Sequence, residues 1–139
     1  DEAFAAAEKT YRAYVEALNE VDLSDPATFE PVFALTTGIV NTNERKTLSE
    51  MHADGWVVSG ESAVALLEGQ TFDSSDWTTQ LAICLDVAGV DVVDSTGASV
   101  VDEHRVDIQS LLVTTTPSSS TSTGMAISSI DGREGEPSC

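Results

Sequence analysis

Few residues in this chain are of a type that could do chemistry, and their spacing says what kind. Tyr11 and Tyr14 stand three apart, so on a helix they share a face. A tyrosine hydroxyl at the edge of a cavity can stabilise an oxygen that gains charge, as on an enolate. The plainer use of the same side chain is a core position with one satisfied hydroxyl. His52 precedes Trp56 at the end of a helical stretch. It has the right acidity for a general base near neutral pH, and it equally suits a helix C-terminus, where the dipole favours a cation. Asp86 closes the run Gln80-Leu81-Ala82-Ile83-Cys84-Leu85-Asp86. Facing a cavity, it would be a buried base with a raised pKa; facing outward, it is one more solvated carboxylate. The alternation favours the outward position, because Leu81, Ile83, Leu85 and Val87 claim the inner face.

Other sites lack the residues they need. Cys84, Cys139, His52 and His104 have no zinc-like spacing. Asp86, Asp91 and Asp94 do not follow the calcium-loop pattern of alternating oxygens and a glycine. No glycine-rich phosphate loop follows a strand, and Ser59-Gly60-Glu61-Ser62 lacks the frame of a hydrolase elbow. Neither a metal nor a cofactor is expected.

The two cysteines, Cys84 within a strand and Cys139 at the last position, form an even set in an acidic chain. An oxidising compartment explains both. A Cys84–Cys139 disulfide would close a loop of about 56 residues, worth roughly 4 kcal/mol in the chain-entropy model. The alternative is a buried Cys84 and a free Cys139, which thiol titration without reductant distinguishes.

Six Lys and Arg against 24 Asp and Glu give a net charge of −18 over 139 residues. Such a surface excludes binding a nucleic-acid duplex through a basic face and disfavours docking on anionic lipid. After Trp56 there are thirteen acidic residues and two basic ones, Arg105 and Arg133. The second half therefore presents a negative surface, solubilising or attractive to cationic ligands. No run of 18 apolar residues could span a membrane. The chain opens directly on a helical pattern, so an export signal is expected to have been removed upstream of Asp1. The absence of an Asn-x-Ser/Thr sequon favours a bacterial product.

These residues must be positioned by elements that the periodicity outlines. Phe4, Ala7, Tyr11, Tyr14, Val15 and Leu18 recur at helical spacing over 2–20. Asp25-Pro26 starts a second, short helix, with Gly38 as its C-cap. Asn41-x-x-Glu44 reads as a capping box for a third helix over 43–53, with Leu48, Met51 and His52 inward. From Trp56 the period falls towards two. Trp56 to Thr71 reads as one extended segment with a bend at Gly60. Strands follow at 80–87, in a hairpin of 90–93 and 98–101, at 104–116 and at 124–130. The reading is a single α+β domain over 1–139, with helices in 2–54, a curved antiparallel sheet in 56–131 and a tethered tail at 132–139. Helices covering one face of such a sheet leave a cone with room for a pocket.

This order of elements, from helix Phe4–Leu18 to strand Gly124–Ile130, resembles the nuclear transport factor 2-like superfamily. Leu81-Ala82-Ile83-Cys84-Leu85-Asp86-Val87, Val90-Asp91-Val92-Val93-Asp94-Ser95-Thr96-Gly97 and Gly135-Glu136-Pro137-Ser138-Cys139 are similar to segments of small exported actinobacterial proteins of lipoprotein type. That second resemblance implies a bond between the strand cysteine and the terminal one. Lipid attachment would need a cysteine upstream of Asp1. The superfamily includes isomerases, dehydratases and epoxide hydrolases, but none of their catalytic motifs can be laid on these residues.

The functional expectation is a secreted or cell-envelope binding module for a small apolar or cationic ligand or a partner protein, with pairing of sheet faces into a homodimer as a further use of the fold. The alternative is a cone-type isomerase, dehydratase or hydrolase using Tyr11, His52 or Asp86. Two or more polar side chains reaching one point of the pocket would keep the alternative open.

Overall fold

The computed structural model describes residues 2–139; Asp1 lies outside the described residues. Three helices come first: α1 (Glu2–Asn19), α2 (Glu30–Ala34) and α3 (Gly38–Ala53), with a 3-10 turn at Pro26–Phe29. Six strands follow: β1 (Val57–Ser59), β2 (Ala63–Asp73), β3 (Thr78–Asp86), β4 (Asp91–Val93), β5 (Ile108–Pro117) and β6 (Met125–Gly132). The main sheet runs β2-β3-β5-β6, antiparallel throughout, and β1 pairs with β4 in a small separate sheet. The result is an α+β fold in which N-terminal helices pack against a curved antiparallel sheet.

Curvature has a local cause. The pairing of β2 with β3 slips between Val64 and Leu66 and again between Gly69 and Thr71, and that of β5 with β6 slips between Thr114 and Thr115. Each slip adds a residue to one strand and bends it. The concave side then wraps α1, which touches β2, β3 and β6. Tyr11, Leu81, Ile83, Val113 and Ile127 are fully buried between them. Midway along α1 the Thr10 hydroxyl meets that of Thr123 at 2.5 Å and donates to the Ala6 carbonyl, fastening the helix against the β5–β6 loop. At its C-terminal end Asn19 donates to the Ser62 carbonyl and accepts from its N–H, at 2.9 and 2.8 Å.

Ala82 and Cys84 lie on the convex side, opposite in pleat to Leu81 and Ile83, yet both are buried (0% and 3% exposed). Cys84 is bonded to Cys139, and Arg133 organises the intervening strap. Its Nε donates to the Leu111 carbonyl at 3.1 Å, and one terminal nitrogen donates to the carbonyls of Pro137 and Gly135 at 2.6 and 3.3 Å. Arg105 is used similarly, donating to the carbonyls of Val87 and Val90 at 2.9 and 2.8 Å. The two basic residues after Trp56 thus fasten backbone rather than balance carboxylates.

Four boundaries differ from the sequence reading. Gly38, at φ +59°, opens α3 rather than closing α2, so Asn41-x-x-Glu44 is not a capping box. Asn41 instead donates to the carbonyl of Phe33 and the hydroxyl of Thr36, tying off α2. The segment 56–71 is two strands, because Gly60 turns the chain at φ +82° where a β-carbon would lie 1.8 Å from the Gly89 carbonyl oxygen. The hairpin of 90–93 with 98–101 reduces to one bridge, Val93 with Ser99, since β4 pairs with β1. His104 precedes β5 in a turn, whose start is fixed by the Asp102 carboxylate accepting the His104 N–H.

Candidate functional site

The third helix sets the site. Val40, Glu44, Leu48 and Met51 recur every three or four residues and so share a face of α3. Val40 and Leu48 are buried, and Glu44 places a carboxyl in the apolar stripe between them. Across from it, α1 presents Tyr11 and Tyr14, with ring centroids 5.9 Å apart. The Tyr14 hydroxyl donates to Glu44 Oε1 at 2.5 Å.

Two cavities meet at this pair. One, about 310 Å³, is walled by Tyr11, Tyr14 and Glu44 together with Leu85, Leu111 and Ile130 of the sheet. Gln109 reaches it too, because it pairs with Leu85 and so lies on the concave face. The other, about 390 Å³, lies between the end of α1, α3 and the small sheet, against Leu48, Met51, Val58 and Val92. Leu18 and Glu44 line both, which makes them the partition. Gly60 and Ser62 form part of the second wall, held in place by Asn19.

The electrostatics follow from burial. Apolar surroundings push the Glu44 carboxyl above its usual range, while the bond from Tyr14 pulls the other way. Burial raises the Tyr14 hydroxyl far above an ordinary phenol, and the charge and bond of Glu44 add to that. Burial also raises Tyr11. The Tyr11 hydroxyl has no hydrogen-bond partner among the described residues, and among them no fully enclosed polar side-chain atom is left unpaired. Its oxygen therefore opens on the cavity it lines. The arrangement is a neutral donor and a carboxyl facing one apolar space, which can orient a polar group or move a proton.

Of the residues singled out from sequence, Tyr11 is at this cavity. His52 is elsewhere: its Nδ1 lies 2.7 Å from the Leu23 carbonyl oxygen and its ring meets Phe29 edge-on at 6.4 Å. It is exposed, not turned inward with Leu48 and Met51. Asp86 lies at the end of β3, where its carboxylate accepts the Ala88 N–H at 2.9 Å. The three do not converge on one point. Among the described residues no group of three or more His, Cys, Asp or Glu is placed to hold a metal ion, and no helix is long and apolar enough to cross a membrane. Glu44 is the residue that sequence reasoning passed over. Its signal was present, a carboxylate four residues from an apolar partner on either side, but the Asn41-x-x-Glu44 spacing drew it into a cap.

The sequence matches no family model and no curated protein. Among solved structures, the fold is similar to a protein of Novosphingobium aromaticivorans provisionally named an aromatic ring hydroxylase. The TM-score is 0.60 at 14% identity, over 95% of this chain and 94% of that one. A periplasmic fragment of TraM aligns with a TM-score of 0.46 at 14% identity, over 92% of this chain and 98% of that one. The first likeness fits a cone fold.

Proposed function

We propose that this chain is an extracytoplasmic cone domain, nuclear transport factor 2-like in type, that binds a small, largely apolar molecule without transforming it. The observation that carries the reading is Glu44, bonded by Tyr14, standing on the wall shared by two largely apolar cavities, with the Tyr11 hydroxyl beside it lacking a hydrogen-bond partner among the described residues. Pockets of a few hundred cubic ångströms, mostly apolar with a few convergent polar groups, are the usual form of small-molecule sites. The Cys84–Cys139 bond supports an oxidising location, and the segment resemblances extend this to a secreted or cell-envelope protein. The whole of 1–139 acts as one unit in this reading, with the tail as its strap.

Thermal unfolding with neutral probes tests it. Phenethyl alcohol and indole should raise Tm progressively with concentration, as mass action requires. Leu18→Trp, which fills the partition between the cavities, should abolish the rise. No shift with either probe, or a shift that survives Leu18→Trp, rejects the site.

A second reading is catalytic, and one observation favours it: the raised carboxyl of Glu44 and the free hydroxyl of Tyr11 line the same cavity. Glu44 would accept a proton from carbon next to a carbonyl, while Tyr11 donates to the carbonyl oxygen. Exchange of α-protons of cyclohexanone in D₂O, followed by NMR, should then be accelerated by the protein and lost in Glu44→Gln. Exchange at the rate of buffer alone leaves the binding reading.

A further inference from the structure

Accepting the cavity as a ligand site, we infer that its ligand is a lipophilic cation, a protonated amine on an apolar body, with the ammonium against the Glu44 carboxylate and the rings of Tyr11 and Tyr14. Three observations on the site itself point this way.

The first is an imbalance of charge. Among the described residues, no Lys, Arg or His lines either cavity, and no cation lies within ion-pair distance of Glu44. The adjacent Arg45 is turned away, its guanidinium 4.4 Å from the centre of the Phe33 ring and bonded to Asn41. A buried carboxylate with no counter-charge is costly. An ammonium supplies the missing partner, whereas an alcohol supplies only a hydrogen bond and a carboxylate makes the imbalance worse.

The second is the arrangement of donors and rings. Tyr14 occupies one oxygen of Glu44 and thereby fixes the carboxyl, leaving the other oxygen to face a guest. Two tyrosine rings 5.9 Å apart line the same cavity as this carboxyl, and aromatic rings attract cations that have shed water. The apolar remainder of both chambers, Leu18, Leu48, Leu85 and Leu111 among others, suits hydrocarbon on either side of the charge.

The third is the field outside. A net charge of −18 raises the local concentration of cations and repels anions on the way in. This term carries no geometry, so the test must separate it from the contact with Glu44.

Three probes of matched shape do so: phenethylamine, phenethyl alcohol and phenylpropanoate. Their affinities are measured by calorimetry at neutral pH and about 0.3 M salt, where screening confines charge interactions to roughly 6 Å. The amine should bind about tenfold or more tightly than the alcohol, as expected for a charge-assisted contact, and the carboxylate should bind weakest. Glu44→Gln should erase the preference for the amine over the alcohol, with circular dichroism and a cooperative unfolding transition showing that the variant is folded. Asp86→Asn, on the outer side of β3, should leave the preference intact. Equal binding of amine and alcohol, or a preference that survives Glu44→Gln, overturns the inference while the cavity reading stands. Failure of all three probes to bind takes down both.

Discussion

The two sides of β3 are buried for opposite reasons. On the concave side, Leu81 and Ile83 are covered by α1 and the core, and the covering leaves space. Cavities remain there, and among the described residues the Tyr11 hydroxyl has no hydrogen-bond partner and Glu44 no counter-charge. On the convex side, Ala82 and Cys84 are buried as well, and Cys84 is joined to a strap of a few residues. A covalent bond holds its far end, and Arg133 spends its donors on backbone carbonyls. One face is finished and the other is left incomplete. The strap adds stability on the finished face without touching the cavities, and the proposed ligand site belongs to the incomplete one. This division should show in mutants, because changes on the convex side ought to move stability and not binding.

The largest effect should come from cutting the strap. Cys139→Ser opens a loop whose ends are 55 residues apart in sequence, and the chain-entropy model puts the loss at about 4 kcal/mol. In a domain of this size that lowers Tm on the order of 10 °C or more. Urea unfolding of the oxidised protein and of the variant measures it. Affinity for phenethyl alcohol, taken well below the lowered Tm, should stay within about twofold, since nothing in the strap lines the cavities. A large fall in affinity would show that the convex cover also shapes the concave face, and the two-sided division would fail.

Arg133 sharpens the same point. Arg133→Lys keeps the charge but loses the planar fork that reaches Leu111, Gly135 and Pro137 together. A cost of about 1.5–3 kcal/mol is expected, the usual scale for hydrogen bonds made by a charged group. The cost should shrink in the Cys139→Ser background, because both residues hold the same strap and their effects cannot add. Additivity within a few tenths of a kcal/mol would mean that Arg133 works through something other than the strap.

Sequence made one of these faces far more legible than the other. Alternation at Leu81, Ile83 and Leu85 assigned the inner side of β3, and hydrophobic periodicity placed α1 within a residue or two, because burial of apolar area is a signal each element carries by itself. The fold class followed from element order. The bend at Gly60 was legible, but not that it divides the segment into two strands, which depends on the Gly89 carbonyl some thirty residues away; nor was the start of α3 at Gly38, where a glycine that suits a C-cap opens the next helix instead. The site was hidden for the same reason. Glu44 is meaningful only beside Tyr14, thirty residues earlier, and a local rule about caps offered a nearer explanation. His52 and Asp86 drew attention by residue type, yet each is satisfied by a neighbouring backbone group, at Leu23 and Ala88.

The smallest effect is the most diagnostic, because its sign differs between the surface and the cavity. Asp22 and Asp73 are exposed and Asp94 lies at the surface, and each has its carboxyl lowered from its ordinary value by hydrogen bonds from residues two positions on, Ser24, Ser75 and Thr96. A group lowered on folding favours the folded state above its unfolded pKa, and that contribution fades as pH falls through the folded value. Glu44 runs the other way. Burial raises it above 4.5, so the folded chain holds that proton more tightly than the unfolded one. Its ionisation therefore counts against folding progressively as pH rises from about 4.5 through the raised value, and the penalty is complete above it. Glu44→Gln removes this one group and leaves these aspartates untouched. The difference in unfolding free energy between the variant and the parent should then climb in favour of the variant from pH 4 to pH 8, by less than the Arg133 effect. A protonated amine in the cavity should reverse the climb, since it restores the partner the carboxylate lacks. A difference that stays flat with pH would place Glu44 in ordinary solvent, and the contrast between the two faces would lose its electrostatic half.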